Sequence, residues 1–483
     1  MNEPQQSTDS HRVPWLRRLA EGGNTVPILL AIQLVLHLAL YCNTLTFAGI
    51  SESGALLGKL DAILAGDRPK PLYGFYWYFT PAYIAYFFIS IFGTIDAYYI
   101  FQCLLATLTS YLVYYVTVRI SGSRMSGVVS LLLTTVYMEY LLLSSVFYNQ
   151  VYENFFAVLF LLLVIDIASS GTLRKTILSS LAVLAVVLLS LFFRNTFIAI
   201  FFYLLLAGIW FLVSKEAKSG AALLFLSVII FMTMFVIKPL DHFREGEYSP
   251  PAALEFWGHT TYGGNGGEVG FIYRENEERF NGRLEAYADE RRLSEITPEV
   301  VDAFKASEVR RFVTTTPHKW LFLQMKKVFY TFGIMPQRDG LTMLMTGRAP
   351  LTLVPSAILL QVPFLFIILL FILTVDINLR RIFSLPGKLF LTYLLGLYLV
   401  TAISVYGAWA ERYRIVAVVT FIIPVIGINI ERLKILVSRD GRKELMIRLS
   451  FVLLMVIIWG LQAYEALVIH RDRYLGAIDK IVQ

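Results

Sequence analysis

Six of the charged residues in this largely apolar chain are of types and at positions that can do chemistry: the carboxylates Glu52 and Glu153, and the cations Lys70, Arg194, Arg412 and Arg414. Glu52 sits in Ser51-Glu52-Ser53-Gly54, the start of a short amphipathic helical pattern closed by Gly66, just beyond the first hydrophobic segment. Glu153, in Tyr148-Asn149-Gln150-Val151-Tyr152-Glu153-Asn154, stands at the end of the fourth segment; Arg194 follows Leu191-Phe192-Phe193 at the end of the fifth. Glu411-Arg412-Tyr413-Arg414 opens the tenth. A carboxylate can take the proton of an attacking hydroxyl, and guanidinium forks bind phosphate oxygens through paired, charge-assisted bonds. Carboxylates and cations on one face are what transfer from a lipid phosphate needs: a base for the incoming hydroxyl and cations for the leaving phosphate. Plainer roles exist for each. Glu52 can complement the positive end of its own helix, a span-end glutamate such as Glu153 can reach water, and outer-end arginines can snorkel to headgroups. Glu139, one turn inside the same surface as Glu153, is a weaker rival acid.

The elements that must position these residues are membrane helices. Hydrophobic residues make up 57% of the 483-residue chain and the mean hydropathy is +0.64, well above the roughly 45–50% apolar content of soluble domains. Segments long enough to be read as spans, for which about 20 apolar residues are needed, lie near 26–48, 97–118, 125–143, 154–169, 176–193, 197–213, 221–238, 351–375, 388–406, 413–430 and 449–468. The expected fold is an all-α polytopic bundle of about eleven transmembrane helices.

The net charge of +7 does not point to nucleic acid, because its placement follows topology. Arg17 and Arg18, Arg119 and Arg124, Arg174 and Lys175, Lys215 and Lys218, Arg380 and Arg381, and a cluster over 431–448 fall before the first span and in alternate loops. The positive-inside rule then predicts a cytoplasmic N terminus and an outward location for the first long loop, 49–96, and for the insert 239–345. Residues 72–93 are apolar enough to cross, but crossing would put every later basic loop outside, so a re-entrant or interfacial element is predicted. Pro71, Pro81, Trp77 and many tyrosines agree with that. The organisation expected is a cytoplasmic tail 1–24, an N-terminal bundle 25–238, the insert 239–345, a C-terminal bundle 346–470 and an outer tail 471–483.

Within the insert, helical pattern is read at 275–293 and 298–314, followed by an amphipathic stretch, 318–333, that either lies on the membrane surface or packs on the insert as a solvated helix. The glycines of 263–270 follow no clear strand and open no helix, so a phosphate-cradling loop is not expected there. The six histidines show no metal-ligand spacing. Cys42 and Cys103 lie in or beside spans and read as packing residues. The basic N-terminal stretch lacks a short core with a small-residue cleavage site, so the first span is expected to be retained.

With these residues in hand, the chain resembles the GT-C class of polytopic glycosyltransferases, in the branch of protein O-mannosyltransferases and the lipid A aminoarabinose transferase. The resemblance is carried by Glu52 and Gly66, by Lys70-Pro71-Leu72-Tyr73 and Phe92-Gly93, by Glu153, by Arg194 and by Arg412-Tyr413-Arg414, in that order along the chain. Where the branch often has adjacent Asp-Glu or Asp-Ser at the loop start, this chain has Ser51-Glu52, and Asp61 is the nearest substitute acid. The resemblance implies inverting transfer of a sugar from a polyprenyl-phosphate carrier to an acceptor hydroxyl of a lipid, glycan or protein, outside the cytoplasmic membrane. In it, Glu52 orients or deprotonates the hydroxyl and Glu153 helps position sugar or acceptor. Lys70, Arg194, Arg412, Tyr413 and Arg414 hold the carrier phosphate. No cofactor is expected; a divalent cation between carboxylates, used in some branches, is not predicted. A lipid-linked glycan flippase or transporter, expected to show broken helices or repeats near the midplane, and a polysaccharide polymerase or ligase are the alternatives.

Overall fold

The computed structural model describes residues 23–43, 51–67, 80–191, 193, 200–235, 274–333, 353–376, 387–406, 412–438 and 441–464. These residues form helices joined by turns. The helices are α1 (Thr25–Asn43), α2 (Ser51–Leu64), α3 (Thr80–Phe92), α4 (Asp96–Ser121), α5 (Arg124–Val136), α6 (Met138–Leu143), α7 (Gln150–Ala168), α8 (Leu173–Leu191), α9 (Ile200–Val213) and α10 (Ala217–Phe235). After them come α11 (Arg274–Glu290), α12 (Pro298–Thr315), α13 (Pro317–Thr331), α14 (Leu353–Thr374), α15 (Gly387–Tyr406), α16 (Arg412–Ala417), a π-helical turn (Val418–Ile422), α17 (Ile423–Asn429), α18 (Arg432–Val437) and α19 (Arg442–Tyr464). Five of these, α1, α4, α7, α8 and α19, contain stretches long and apolar enough to cross a membrane, and seven more apolar segments of 10–17 residues accompany them. This is an all-helical membrane protein.

Ion pairs sort the helix ends. Arg119 at the end of α4 meets Asp166 at the end of α7 at 2.7 Å, Lys388 Nζ donates to the Arg119 carbonyl, and Arg124 Nη2 donates to the Gly23 carbonyl. Arg432 pairs with Asp376 at 3.1 Å and with Glu444, which also holds Arg448. Among the described residues, Arg119 at the end of α4 and Arg432 of the 431–448 cluster are thus neutralised by acids from neighbouring helices, while Arg17, Arg18, Arg380 and Arg381 lie outside the described residues. Glu153 opens α7 at the end away from Asp166.

Between the ends, lipid tails offer helices no hydrophobic reason to associate, so close backbone approach and interhelical hydrogen bonds must hold the bundle. Gly427 on α17 supplies one such approach: a Cβ there would lie 2.6 Å from the Ser126 carbonyl oxygen of α5. At Gly208 a Cβ would meet Leu224 across the α9–α10 hairpin. Polar ties include Gln33 Nε2 donating to Ser110 Oγ (2.7 Å) and Ser227 Oγ to the Phe201 carbonyl (2.8 Å).

Two segments depart from uninterrupted spans, each for a local reason. The segment 125–143 is broken at Tyr137, whose ψ of 89° ends α5 and starts α6 in a new direction. The late span opens into a π turn at 418–422, with the Ile423 N–H bonded five residues back to Val418. Pro424 follows immediately; having no N–H, it leaves the Thr420 carbonyl without its usual donor, and widening the turn accommodates its ring.

In the first long loop, α3 is 13 residues, about 20 Å at 1.5 Å per residue, too short for a hydrocarbon core of about 30 Å. It bears exposed Tyr83, Tyr86, Phe87, Ile91 and Phe92. In the insert, α11, α12 and α13 fall where helical pattern was expected. α13 turns Leu321, Phe322 and Met325 outward, while its C-terminal end is tied to α19 by Trp459 Nε1 donating to the Phe332 carbonyl and Gln462 Nε2 to the Phe329 carbonyl.

Candidate functional site

At the end of α7 away from Asp166, an aromatic cluster gathers parts of four helices and two residues between helices. Leu56, Leu60 and Ile63 of α2, Ala82 and Ala85 of α3, Tyr98 and Tyr99 of α4, Phe147, Tyr152 of α7 and Phe193 pack together. Tyr152 stacks on Phe193 with ring centroids 4.4 Å apart. Tyr41 at the end of α1 stacks on Tyr99 at 5.0 Å and donates to Asp96. The amphipathic pattern of α2 explains its place: residues 56, 60 and 63 recur at helical spacing and form its inner face, while Asp61 is exposed.

The cluster joins elements that carry or adjoin some of the predicted residues. Glu52 lies in the first turn of α2, its side chain beyond what is described. Glu153, in the first turn of α7, is 3% exposed and next in sequence to Tyr152, which contacts Phe193, the neighbour of Arg194. Arg194 and Lys70 themselves lie outside the described residues. Arg412 and Tyr413 open α16, which packs on α7, with side chains likewise beyond what is described.

Arg414 has a definite and different setting. It is fully buried and bound to Glu139, the acid expected as a rival catalytic group. Its Nε donates to Glu139 Oε2 (3.0 Å), Nη2 donates to Glu139 Oε1, and Nη1 donates to the carbonyls of Thr331 (3.2 Å) and Gly333 (2.6 Å). The Gln361 Oε1 lies 3.4 Å from Nη2, and the guanidinium carbon sits 3.6 Å over the Phe364 ring. Tyr137 donates to Glu139 Oε2 at 2.8 Å, so the helix break at Tyr137 is part of the same network. A guanidinium occupied in this way can reach a phosphate only by giving up Glu139 or a carbonyl. The arrangement instead fixes the start of α16, and with it Arg412 and Tyr413, against α6, α13 and α14.

A second buried polar group is one that sequence reasoning passed over. His37 of α1 is fully buried, with Nδ1 2.7 Å from Ser144 Oγ and 3.0 Å from the Leu141 carbonyl. A carbonyl only accepts, so Nδ1 carries the proton and Nε2 is left as an acceptor. Its only sequence signal was a histidine inside a span, where ionisable residues are costly. Also missed were the carboxamides around Glu153: Asn149, Gln150 and Asn154 are each 4% exposed or less. Three neutral polar residues at the mouth of an apolar segment were the available sign of them. Among the described residues, no group of three or more His, Cys, Asp or Glu is placed to hold a metal ion.

No family model matches the chain, and no curated protein shows significant similarity to it.

Proposed function

We propose that this protein is a membrane glycosyltransferase that moves a sugar, with inversion, from a polyprenyl-phosphate carrier to an acceptor hydroxyl at the extracytoplasmic face of the cytoplasmic membrane. In this reading the chain crosses eleven times with its N terminus inside, and the aromatic cluster faces the outer leaflet. The observation that carries it is the packing of α2, the start of α7 and Phe193 into one cluster, which draws the helix bearing Glu52 to the first turn bearing Glu153 and to the residue before Arg194.

The chemistry needs little else. Glu52 takes the proton of the acceptor hydroxyl as its oxygen attacks the anomeric carbon; the carbon–oxygen bond to phosphate breaks, and its electron pair leaves with the carrier phosphate. Lys70, Arg194 and Arg412 neutralise that phosphate, and Glu153 orients the sugar or acceptor. Arg414 is reassigned from the phosphate to positioning, because Glu139 and two carbonyls occupy its donors.

Purified protein supplied with a panel of polyprenyl-phosphate sugars is expected to release carrier phosphate, and Glu52→Gln to lower the rate by at least about a hundredfold, the scale of general-base catalysis. Unchanged release in Glu52→Gln removes Glu52 from the mechanism. Movement of a labelled lipid across vesicles without release replaces the transferase with a flippase.

A further inference from the structure

We infer that the first turn of α7 is a recognition site for the hydroxyl groups of the carrier-bound sugar, built from Asn149, Gln150 and Asn154; this rests on the transferase reading above. Asn149 Oδ1 and both polar atoms of Gln150 and of Asn154 are buried and have no hydrogen-bond partner among the described residues. Buried carboxamides are seldom left in that condition, since removal from water is costly unless the bonds are replaced. Five such atoms within six residues mark a place where a polar molecule belongs.

Their disposition narrows what it is. Gln150 and Asn154 are one helical turn apart and share a face of α7 that, at 100° per residue, is turned away from Tyr152 and its stack with Phe193. α7 packs on α4, α8, α10, α15, the π turn and α16, the helix that Arg412 and Tyr413 open. Glu153, also buried, separates them in sequence. Each carboxamide has two donor hydrogens and an acceptor oxygen, matching vicinal hydroxyls that both give and take a hydrogen bond. A phosphate, which only accepts, would leave the carboxamide oxygens unpaired; a prenyl chain would satisfy none of them.

The test is binding to the full-length protein in lipid nanodiscs. The probes are one polyprenyl phosphate, bare or carrying mannose, glucose or aminoarabinose. Wild-type protein is expected to prefer one sugar-bearing lipid over the bare carrier by about tenfold or more, roughly one neutral hydrogen bond. Gln150→Met and Asn154→Leu are expected to lose that preference while binding the bare carrier as wild type does. Both replace partnerless polar atoms by apolar groups of similar shape, a change that is near neutral for folding. If Asn154→Leu does not fold, Gln150→Met and Asn149→Ala carry the comparison. Preference retained in the folded variants overturns the carboxamide site and leaves the transferase reading standing. Absence of binding by any of the lipids to wild type overturns both.

Discussion

The Arg414–Glu139 pair makes the sharpest energetic prediction. Both side chains are buried, at 0% and 7% exposure, so solvent screening gives little relief when one charge is removed. Glu139→Gln leaves a guanidinium in the interior facing a neutral amide, and Arg414→Met leaves the carboxylate facing a thioether; breaking a buried pair in this way costs about 3–5 kcal/mol. The double variant, Glu139→Leu with Arg414→Met, removes both charges. What remains is the loss at the carbonyls of Thr331 and Gly333, which Arg414 had capped, and at the Tyr137 hydroxyl, which had donated to Glu139, at about 1–3 kcal/mol for each group left without a partner. The double variant is therefore expected to lose about as much as either single one, not their sum, giving a coupling energy of roughly 3 kcal/mol or more, in the range measured for close charge pairs. Equilibrium unfolding of the four proteins in mixed micelles, followed by circular dichroism, measures this. Additive losses, or a Glu139→Gln variant within about 1 kcal/mol of wild type, would refute the pairing and the reassignment of Arg414.

Three simpler outcomes follow from packing. Gly427→Val is expected to lower the melting temperature, since its side chain meets the Ser126 carbonyl and Ser130, and overpacking of this kind costs about 1–3 kcal/mol; Gly58→Ala in α2, where nothing lies within 4 Å of a Cβ, is expected to gain about 0.5–1 kcal/mol. A small maleimide is expected to modify Cys42, which is exposed, and to spare the buried Cys103 until the protein is denatured, as read by intact mass. Rapid native labelling of Cys103 would contradict the packing of α4 against α6.

How far the sequence alone reached depended on the range of the interaction concerned. Helix positions were legible because hydropathy and backbone hydrogen bonding are local: α4, α7, α8 and α15 fall within a few residues of the expected spans, and α11 to α13 match the pattern in the insert. Breaks inside spans were less so. Pro424 announces its π turn, but the turn at Tyr137 has no proline or glycine to mark it and is stabilised by a hydroxyl reaching Glu139.

The acids and cations were expected as a set on one face and α2 as an amphipathic helix; both expectations came from the sequence, and α2 forms with Leu56, Leu60 and Ile63 inward. Their partners could not be read there. Arg414 and Glu139 lie 275 positions apart, and nothing local in either stretch distinguishes an arginine awaiting phosphate from one already bound to a carboxylate. That choice is made by how α6, α13, α14 and α16 pack. The same holds for Asn149, Gln150 and Asn154, whose importance comes from being buried without partners. Residue types and helices were thus determined along the chain, while pairing, burial and the lack of a partner were decided in three dimensions, because each depends on which distant helix supplies, or fails to supply, the complementary atom.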